Sequence, residues 1–412
     1  MMNEIRFIHT ADLHLDSPFK GLKHLPEELF QRVRNSTFRS LERIVDNAIR
    51  LEVDFVLMAG DLYDEEDRSI RAQARLKNQL ERLNEAGISV YVIHGNHDYL
   101  GNYWSHLDMP ANVKVFGDTV EKVIHYTADG TPVHLYGFSY DTRHIHERKI
   151  ADYPAARKDG GIYIGLLHGS EAGETTDHEP YAPFSISELK EKNYHYWALG
   201  HIHVRKELSA FPPIVYPGNI QGRHRKETGP KGCYFVTVAD GETKLEFLET
   251  QEIIWEKISI SLKGVLKLSQ IYELCKAGIE QCRRKGGTLL EMEFSDTEET
   301  GGEILNKIKT GEILEAFQDG EEHREDFVWV HSMRIDRNGQ LSYFKDQETF
   351  MSDMIQTVKS WSDQEWDEVS SDLFLHPQAH RYIELLDNEE KEEMKQSAAE
   401  MLASSFSKRG YL

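Results

Sequence analysis

Cysteine is scarce in this chain. Three residues, Cys233, Cys275 and Cys282, are scattered through 412 positions and form no CxxC pair. So few thiols, so far apart, exclude a disulfide framework and a zinc–thiolate site, and they fit a reducing cytoplasm. Long apolar runs are lacking too. The longest is five residues, 55–59, where a membrane helix needs roughly 20. The first residues show no basic stretch followed by an apolar one, the mark of a secretion signal, so a cytoplasmic protein without a membrane partner is expected. Positive charge is in deficit: 48 Lys and Arg face 70 Asp and Glu, a net −22. Residues 1–250 carry −8 and the 162 after them carry −14. That balance argues against a protein that coats nucleic acid by charge alone. A bound divalent cation can still reverse the field locally.

What is present is enough apolar residue, 39%, to build a sizeable core. At about 150 residues per domain the length suggests two or three domains. The first half alternates short apolar strands with amphipathic helices: strands at 5–9, 54–59, 88–94, 133–138, 162–167 and 195–199, helices at 26–51 and 69–86. After about 204 it turns β-rich, at 213–216, 233–238 and 244–249. This predicts a layered α/β domain over 1–250. Beyond a change near 250–262, helices are expected at 267–285, 302–317 and 345–361 and strands at 288–294 and 327–335, an α+β segment. From Ser362 the chain is acidic and helix-prone and reads either as a solvated helical tail or, through Trp366, Phe374, Leu385 and Leu386, as a segment that buries apolar anchors against a partner.

Five short segments carry chemistry: Asp12-Leu13-His14, Gly60-Asp61-Leu62-Tyr63-Asp64, Gly95-Asn96-His97-Asp98, Leu167-His168-Gly169 and Gly200-His201-Ile202-His203. Each follows a predicted strand, and in open α/β sheets ligands bind beyond the carboxyl ends of the strands. Imidazole and carboxylate without thiolate suit Mn²⁺, Fe²⁺ or Zn²⁺ better than calcium. Asp12, His14, Asp61, Asn96, His168, His201 and His203 are too many ligands for one four-coordinate ion, but two ions sharing a carboxylate can use them. In extended backbone, residues two apart point the same way, so Asp12 with His14, and His201 with His203, are spaced to chelate. The glycines before these residues suggest tight turns. His9 and His94, at strand ends, read as buried hydrogen-bonded neighbours of the site. Taken singly, any of these histidines would more often be structural than a ligand.

In this order, the five segments resemble the calcineurin-like metallophosphoesterase superfamily. Within it they look most like the nuclease subunit of SbcCD-type DNA repair complexes and its YhaO-type bacterial branch. Residues 7–16, 56–64, 92–98 and Tyr216-Pro217-Gly218-Asn219 followed by Lys231-Gly232-Cys233 carry that likeness. The resemblance implies a four-layer α/β/β/α sandwich over 1–250, a smaller α+β capping domain over 251–345 and a helical C-terminal segment over 346–412. It implies that Asp12, His14, Asp61 and His203 hold one divalent metal ion and Asp61, Asn96, His168 and His201 a second, most simply Mn²⁺, with Fe²⁺, Zn²⁺ or Mg²⁺ as alternatives. His97 would act at the scissile phosphate and Asp98 would orient it. DNA and an SbcC-like coiled-coil ATPase are the implied partners, and a homodimer is compatible. The chain departs from related nucleases at Gly169, where a larger polar residue is expected.

Arg223-His224-Arg225-Lys226 is the most basic short run near these motifs. It reads either as a solvated loop or as a set of phosphate-backbone contacts from Arg223 and Arg225. Three functions stay open on the sequence. One is a two-metal DNA exo- or endonuclease, another a phosphatase or nucleotide phosphodiesterase for small substrates, and the third a subunit that anchors an ATPase with weak catalysis.

Overall fold

Apolar residues two apart define the strands, and the alternation decides which layer each side chain enters. In the computed structural model, the structure describes residues 4–336 except 20, 23–24, 65–68, 102–106, 173–180, 240 and 298, and beyond them 357, 360–374, 391, 394–395 and 398. The chain opens with β1 (Ile5–Thr10), β2 (Phe55–Ala59), β3 (Ser89–Ile93) and the short β4 (Val113–Val115), all parallel. Then come β5 (Glu121–Tyr126), β6 (Pro132–Gly137), β7 (Ile162–His168), β8 (Tyr196–Gly200), β9 (Lys206–Ala210) and β10 (Pro213–Tyr216). A hairpin, β11 (Gly232–Ala239) and β12 (Glu242–Glu249), returns to lie antiparallel beside β1. Two six-stranded sheets result, β12-β11-β1-β2-β3-β4 and β5-β6-β7-β8-β10-β9.

The sheets face each other across a core of alternate residues: Phe7, Phe55, Leu57, Ala59 and Ile93 from the first, Val133, Leu135, Ile164, Leu166 and Ala198 from the second. The intervening residues Ile8, Val56, Met58, Val90 and Val92 point outward, under α1 (Glu27–Arg50) and α2 (Ile70–Glu85). On the far side of the second sheet, Tyr163, Leu167, Trp197 and Leu199 pack with Leu189 of α3 (Ile186–Glu191). The layers run α/β/β/α. Local chemistry starts the helices where they begin. Glu27 and Glu28 complement the N-terminal dipole of α1, and Ser69 Oγ caps α2 by accepting from Ala72 N at 3.0 Å.

A second unit follows: three parallel strands, β13 (Ile254–Ser261), β14 (Thr288–Ser295) and β15 (Val328–Ile335), crossed by α4 (Leu268–Cys282), α5 (Gly302–Lys309) and α6 (Glu312–Gln318). The helix expected over 302–317 is two, because Gly311 takes φ +82° between them, a left-handed turn that ends α5. A separate cluster joins this unit to the sandwich: Phe19, Leu25, Leu29 and Val33 against Trp255, Leu289, Phe327 and Trp329. Arg32 pins the seam. It donates to the carbonyls of Gly286, Arg324 and Glu325, and its guanidinium lies 4.6 Å from the centre of the Phe327 ring.

The last described helix is Asp363–Phe374. Its Trp366 is 6% exposed, already buried in the chain, so it is not the open anchor that the sequence suggested. The Phe374 side chain, Leu385, Leu386 and most of the expected 345–361 helix lie outside the described residues. No described helix is long and apolar enough to cross a membrane.

Three carbonyls depend on one guanidinium, and hydrogen bonds to a charged group contribute about 1.5–3 kcal/mol each. Two of the three bonds are exposed and water replaces them, so Arg32→Ala should lower stability by about 1–3 kcal/mol. Hydrogen exchange should rise at 286–289 and 324–329 and stay level in β1–β3. Unchanged exchange along that seam would contradict the pinning role.

Candidate metal centre

The functional segments leave the carboxyl ends of parallel strands, β1, β2 and β3 from one sheet and β7 and β8 from the other, so both sheets deliver side chains to one end of the sandwich. The backbone there is strained. Asp12, His14, Asp61 and His201 all have positive φ, at 50°, 41°, 51° and 101°. Non-glycine residues rarely adopt that region outside sites that need it. The extended chelating geometry expected for Asp12 and His14 is therefore absent: β1 has ended, and a left-handed turn brings the two side chains round instead.

The ligand atoms nonetheless converge. Those of Asp12, His14 and His203 lie within 4.8 Å of one another, as do those of Asp12, Asp61 and His168. His14 Nε2 faces His203 Nε2 at 3.1 Å. Asn96 Oδ1 sits 3.0 Å from His168 Nε2 and 3.1 Å from His201 Nδ1. Asp61 Oδ2 lies between the two groups, 3.8 Å from His14 Nε2 and 3.4 Å from His168 Nε2. Two imidazole nitrogens pointed at each other at 3.1 Å set lone pair against lone pair unless a proton or a cation comes between them. The donor set thus fits divalent cations: Asp12, His14, Asp61, His168 and His203 fall in these groups, Asn96 and His201 adjoin them, and His14, Asp64 and His97 make a third group of the same tightness.

Glycine makes the approach possible. A Cβ on Gly95 would collide with Asp61 Oδ1 and stand 2.6 Å from His168 Nε2. One on Gly200 would collide with the Ala59 carbonyl and stand 2.9 Å from His168 Nδ1. These two glycines give lateral space, whereas Gly60, at φ +94°, makes the turn expected of it. Gly169 is equally confined: a Cβ there would lie 2.7 Å from the Ala182 carbonyl. The larger side chain of related nucleases would not fit without movement.

Charge is tightly shared. Burial pushes the Asp12 carboxyl up to about 6, with His168 pulling the other way. Burial would lower His168, but the charge and hydrogen bond of Asp61, then Asp12, raise it to about 9. In return His168 outweighs the burial of Asp61 and holds its carboxyl well below the usual range. Burial, with Arg223 near one and His168 near the other, lowers His14 and His201 to about 3.

His97 is half-buried at the mouth, and its main-chain N–H donates to Asp61 Oδ1 at 3.0 Å. Asp98 does not orient it. Asp98 accepts from Gly95 N at 2.7 Å and Leu62 N at 2.9 Å and pairs with His94 Nδ1 at 2.8 Å. It turns to the Gly95 amide of its own turn and to the Leu62 amide beyond β2, and the adjacency in sequence was misleading. Among the described residues, the carboxylate facing His97 is Asp64, 3.8 Å from its Nδ1 and 3.5 Å from His14 Nδ1. Arg223 is no solvated loop residue: its Nη1 donates to Asp64 Oδ2 at 2.9 Å. Arg225 lines a cavity of about 620 Å³ with Arg223, His224, Asp64 and Glu227 on one side and Trp255, His331 and Arg334 on the other. His9 is buried against Tyr196 and the Leu199 carbonyl, as expected. The sequence missed Glu227, whose Oε1 lies 2.7 Å from His203 Nδ1, because no motif spacing links residues 24 apart.

Fold and site together define a metallophosphoesterase. Residues 5–205 match the calcineurin-like phosphoesterase family. The chain is 38% identical over 403 residues to the metallophosphoesterase YhaO of Bacillus subtilis, covering 97% of each chain. It is 25% identical over 243 residues to the DNA double-strand break repair protein Mre11 of Sulfurisphaera tokodaii, covering 55% of this chain and 59% of that one. Against Mre11 of Aeropyrum pernix the figures are 26% over 267 residues, 58% and 59%. The chain belongs to the calcineurin-like metallophosphoesterases, whose reaction class is metal-dependent hydrolysis of phosphoesters and which typically bind two divalent metals.

The two carboxylates should separate by experiment. Asp98→Asn sets an amide against two amide donors and should cost about 1–3 kcal/mol in urea unfolding. Asp64→Asn should cost activity far more than stability. A reversed pattern would return the orienting role to Asp98.

Proposed function

We propose that this protein is a two-metal phosphodiesterase that cleaves DNA, the nuclease partner of an SbcC-like coiled-coil ATPase in DNA repair. The observation that carries the reading is the donor cluster opening beside a cavity of about 620 Å³ with Arg223, Arg225 and Arg334 in its wall. In a net acidic chain, three arginines in one wall, beside Asp64 and Glu227, offer phosphodiester contacts. The partial likeness to Mre11 proteins, named for DNA double-strand break repair, supports the same substrate. Imidazole and carboxylate donors without thiolate suit Mn²⁺, Fe²⁺ or Zn²⁺, and Mn²⁺ is the ion used in the tests below.

Bound in the cluster, two divalent ions supply Lewis-acid polarisation of a phosphoryl oxygen and a water acidic enough to attack at neutral pH. The chain's own part is placement. Asp12, His14, Asp61 and His203 form one donor group, and Asp61, Asn96, His168 and His201 the other. His97, at the mouth with Asp64 behind its Nδ1, would give a proton to the leaving oxygen, a role that the 3.8 Å His97–Asp64 contact supports. Arg223 holds Asp64 in place, and Arg225 and Arg334 contact the strand beyond the reacting phosphate.

The deciding experiment compares single- and double-stranded DNA, RNA and bis-p-nitrophenyl phosphate with the Mn²⁺-loaded protein. DNA cleavage is expected. Hydrolysis of the small diester alone would favour the small-substrate reading, and hydrolysis of neither an ATPase-anchoring role. Asp61→Ala should hold neither ion by elemental analysis. His97→Ala should keep both and lose roughly 10²-fold or more in rate, the scale of a general acid. Loss of metal in step with rate would make His97 a ligand. Arg225→Glu with Arg334→Glu should weaken DNA cleavage and spare the small diester, and equal loss on both would contradict the strand contact. The ATPase partnership predicts co-purification of the two chains, lost on truncation near residue 360 with small-diester hydrolysis intact.

A further inference from the structure

The two donor groups are oriented by different means. In the second, His168 Nδ1 faces the Ala59 main-chain carbonyl at 3.0 Å, a partner that no side-chain substitution removes. In the first, both imidazoles have a carboxylate behind Nδ1: Asp64 at 3.5 Å from His14, and Glu227 at 2.7 Å from His203. An acceptor at 2.7 Å requires the proton on Nδ1, which turns the Nε2 lone pair of His203 toward His14.

Glu227 is itself fixed. Its Oε2 accepts from Arg223 N at 2.6 Å and Asn219 Nδ2 at 2.8 Å, so it is held from three directions. The same stretch grips the backbone of His203. Lys231 Nζ donates to the His203 carbonyl at 2.9 Å and Asn219 N at 3.3 Å. Gly218 is required there, since a Cβ would lie 2.7 Å from that carbonyl. Residues 218–231 thus form a clamp with His203 as its object.

We infer that Glu227 is the positioning residue for one of two metal ions: it fixes the His203 tautomer and so sets the affinity of the group formed by Asp12, His14, Asp61 and His203, leaving the other unaffected. The inference rests on the two-metal reading above. Partners of metal-bound histidines typically change metal affinity by about 10–100-fold when removed.

The test is equilibrium dialysis of wild type, Glu227→Ala and Glu227→Gln over a range of free Mn²⁺, with bound metal counted by elemental analysis and folding followed by thermal unfolding. Wild type should take up two ions. Glu227→Ala should weaken one by about 10–100-fold and leave the other in place. Glu227→Gln, which keeps an acceptor oxygen, should recover part of the loss. Equal weakening of both ions, in step with a fall in melting temperature, would reduce Glu227 to a structural residue and overturn the inference. An unchanged isotherm would overturn it as well. A wild type that binds a single ion contradicts the two-metal reading instead, and the inference then stands or falls on whether Glu227→Ala weakens that ion.

Discussion

Four imidazoles, two carboxylates and an amide oxygen meet in one buried space, and the rest of the molecule is organised around keeping them there. Such a collection opposes itself. Burial drives Asp12 toward its neutral form and His14 and His201 toward theirs, while His168 and Asp61 can stay charged only by facing each other. Buried charges of this kind are tolerated when they are paired or hold a metal. The positive φ of Asp12, His14, Asp61 and His201, and the glycines at 95 and 200, are the steric conditions for that crowding.

The sandwich supplies rigidity by dividing the labour between two sheets. Asp12, His14, Asp61 and Asn96 come from the ends of β1, β2 and β3, and His168, His201 and His203 from β7 and β8. Their separation is set by the core between the sheets, where Phe7, Leu57 and Ala59 meet Ile164, Leu166 and Ala198. Strands buried on both faces, such as β2 and β7, leave little freedom for the residues that leave their ends. The second unit adds Trp255, His331 and Arg334 to the cavity wall, so the cavity is lined from both sides of the seam that Arg32 pins.

The sequence exposed what depends on residue type and local spacing. Phe55–Ala59 is an unbroken apolar run and could only be a buried strand, and the ligands follow such strands in an order that random composition does not produce. Two edge strands of the second sheet were not legible. Lys206–Ala210 opens on exposed Lys206 and Glu207, and in Glu121–Tyr126 Glu121, Lys122 and His125 interrupt the apolar residues, so no apolar run marks them. Orientation was not legible either. Asp98 stands next to His97, yet its oxygens turn back to the amides of Gly95 and Leu62, while Asp64, 33 residues earlier, faces the imidazole. Glu227 and Arg223 reach the centre through a loop, where contact depends on tertiary packing alone.

The central claim is a pair of metal ions held by one shared carboxylate. Low-temperature electron paramagnetic resonance of the protein loaded with Mn²⁺ tests it most directly, because ions about 3.5–4 Å apart couple their spins. The account predicts two equivalents of manganese and the multiline spectrum of an exchange-coupled pair. The six-line spectrum of isolated Mn²⁺ at full loading would contradict it.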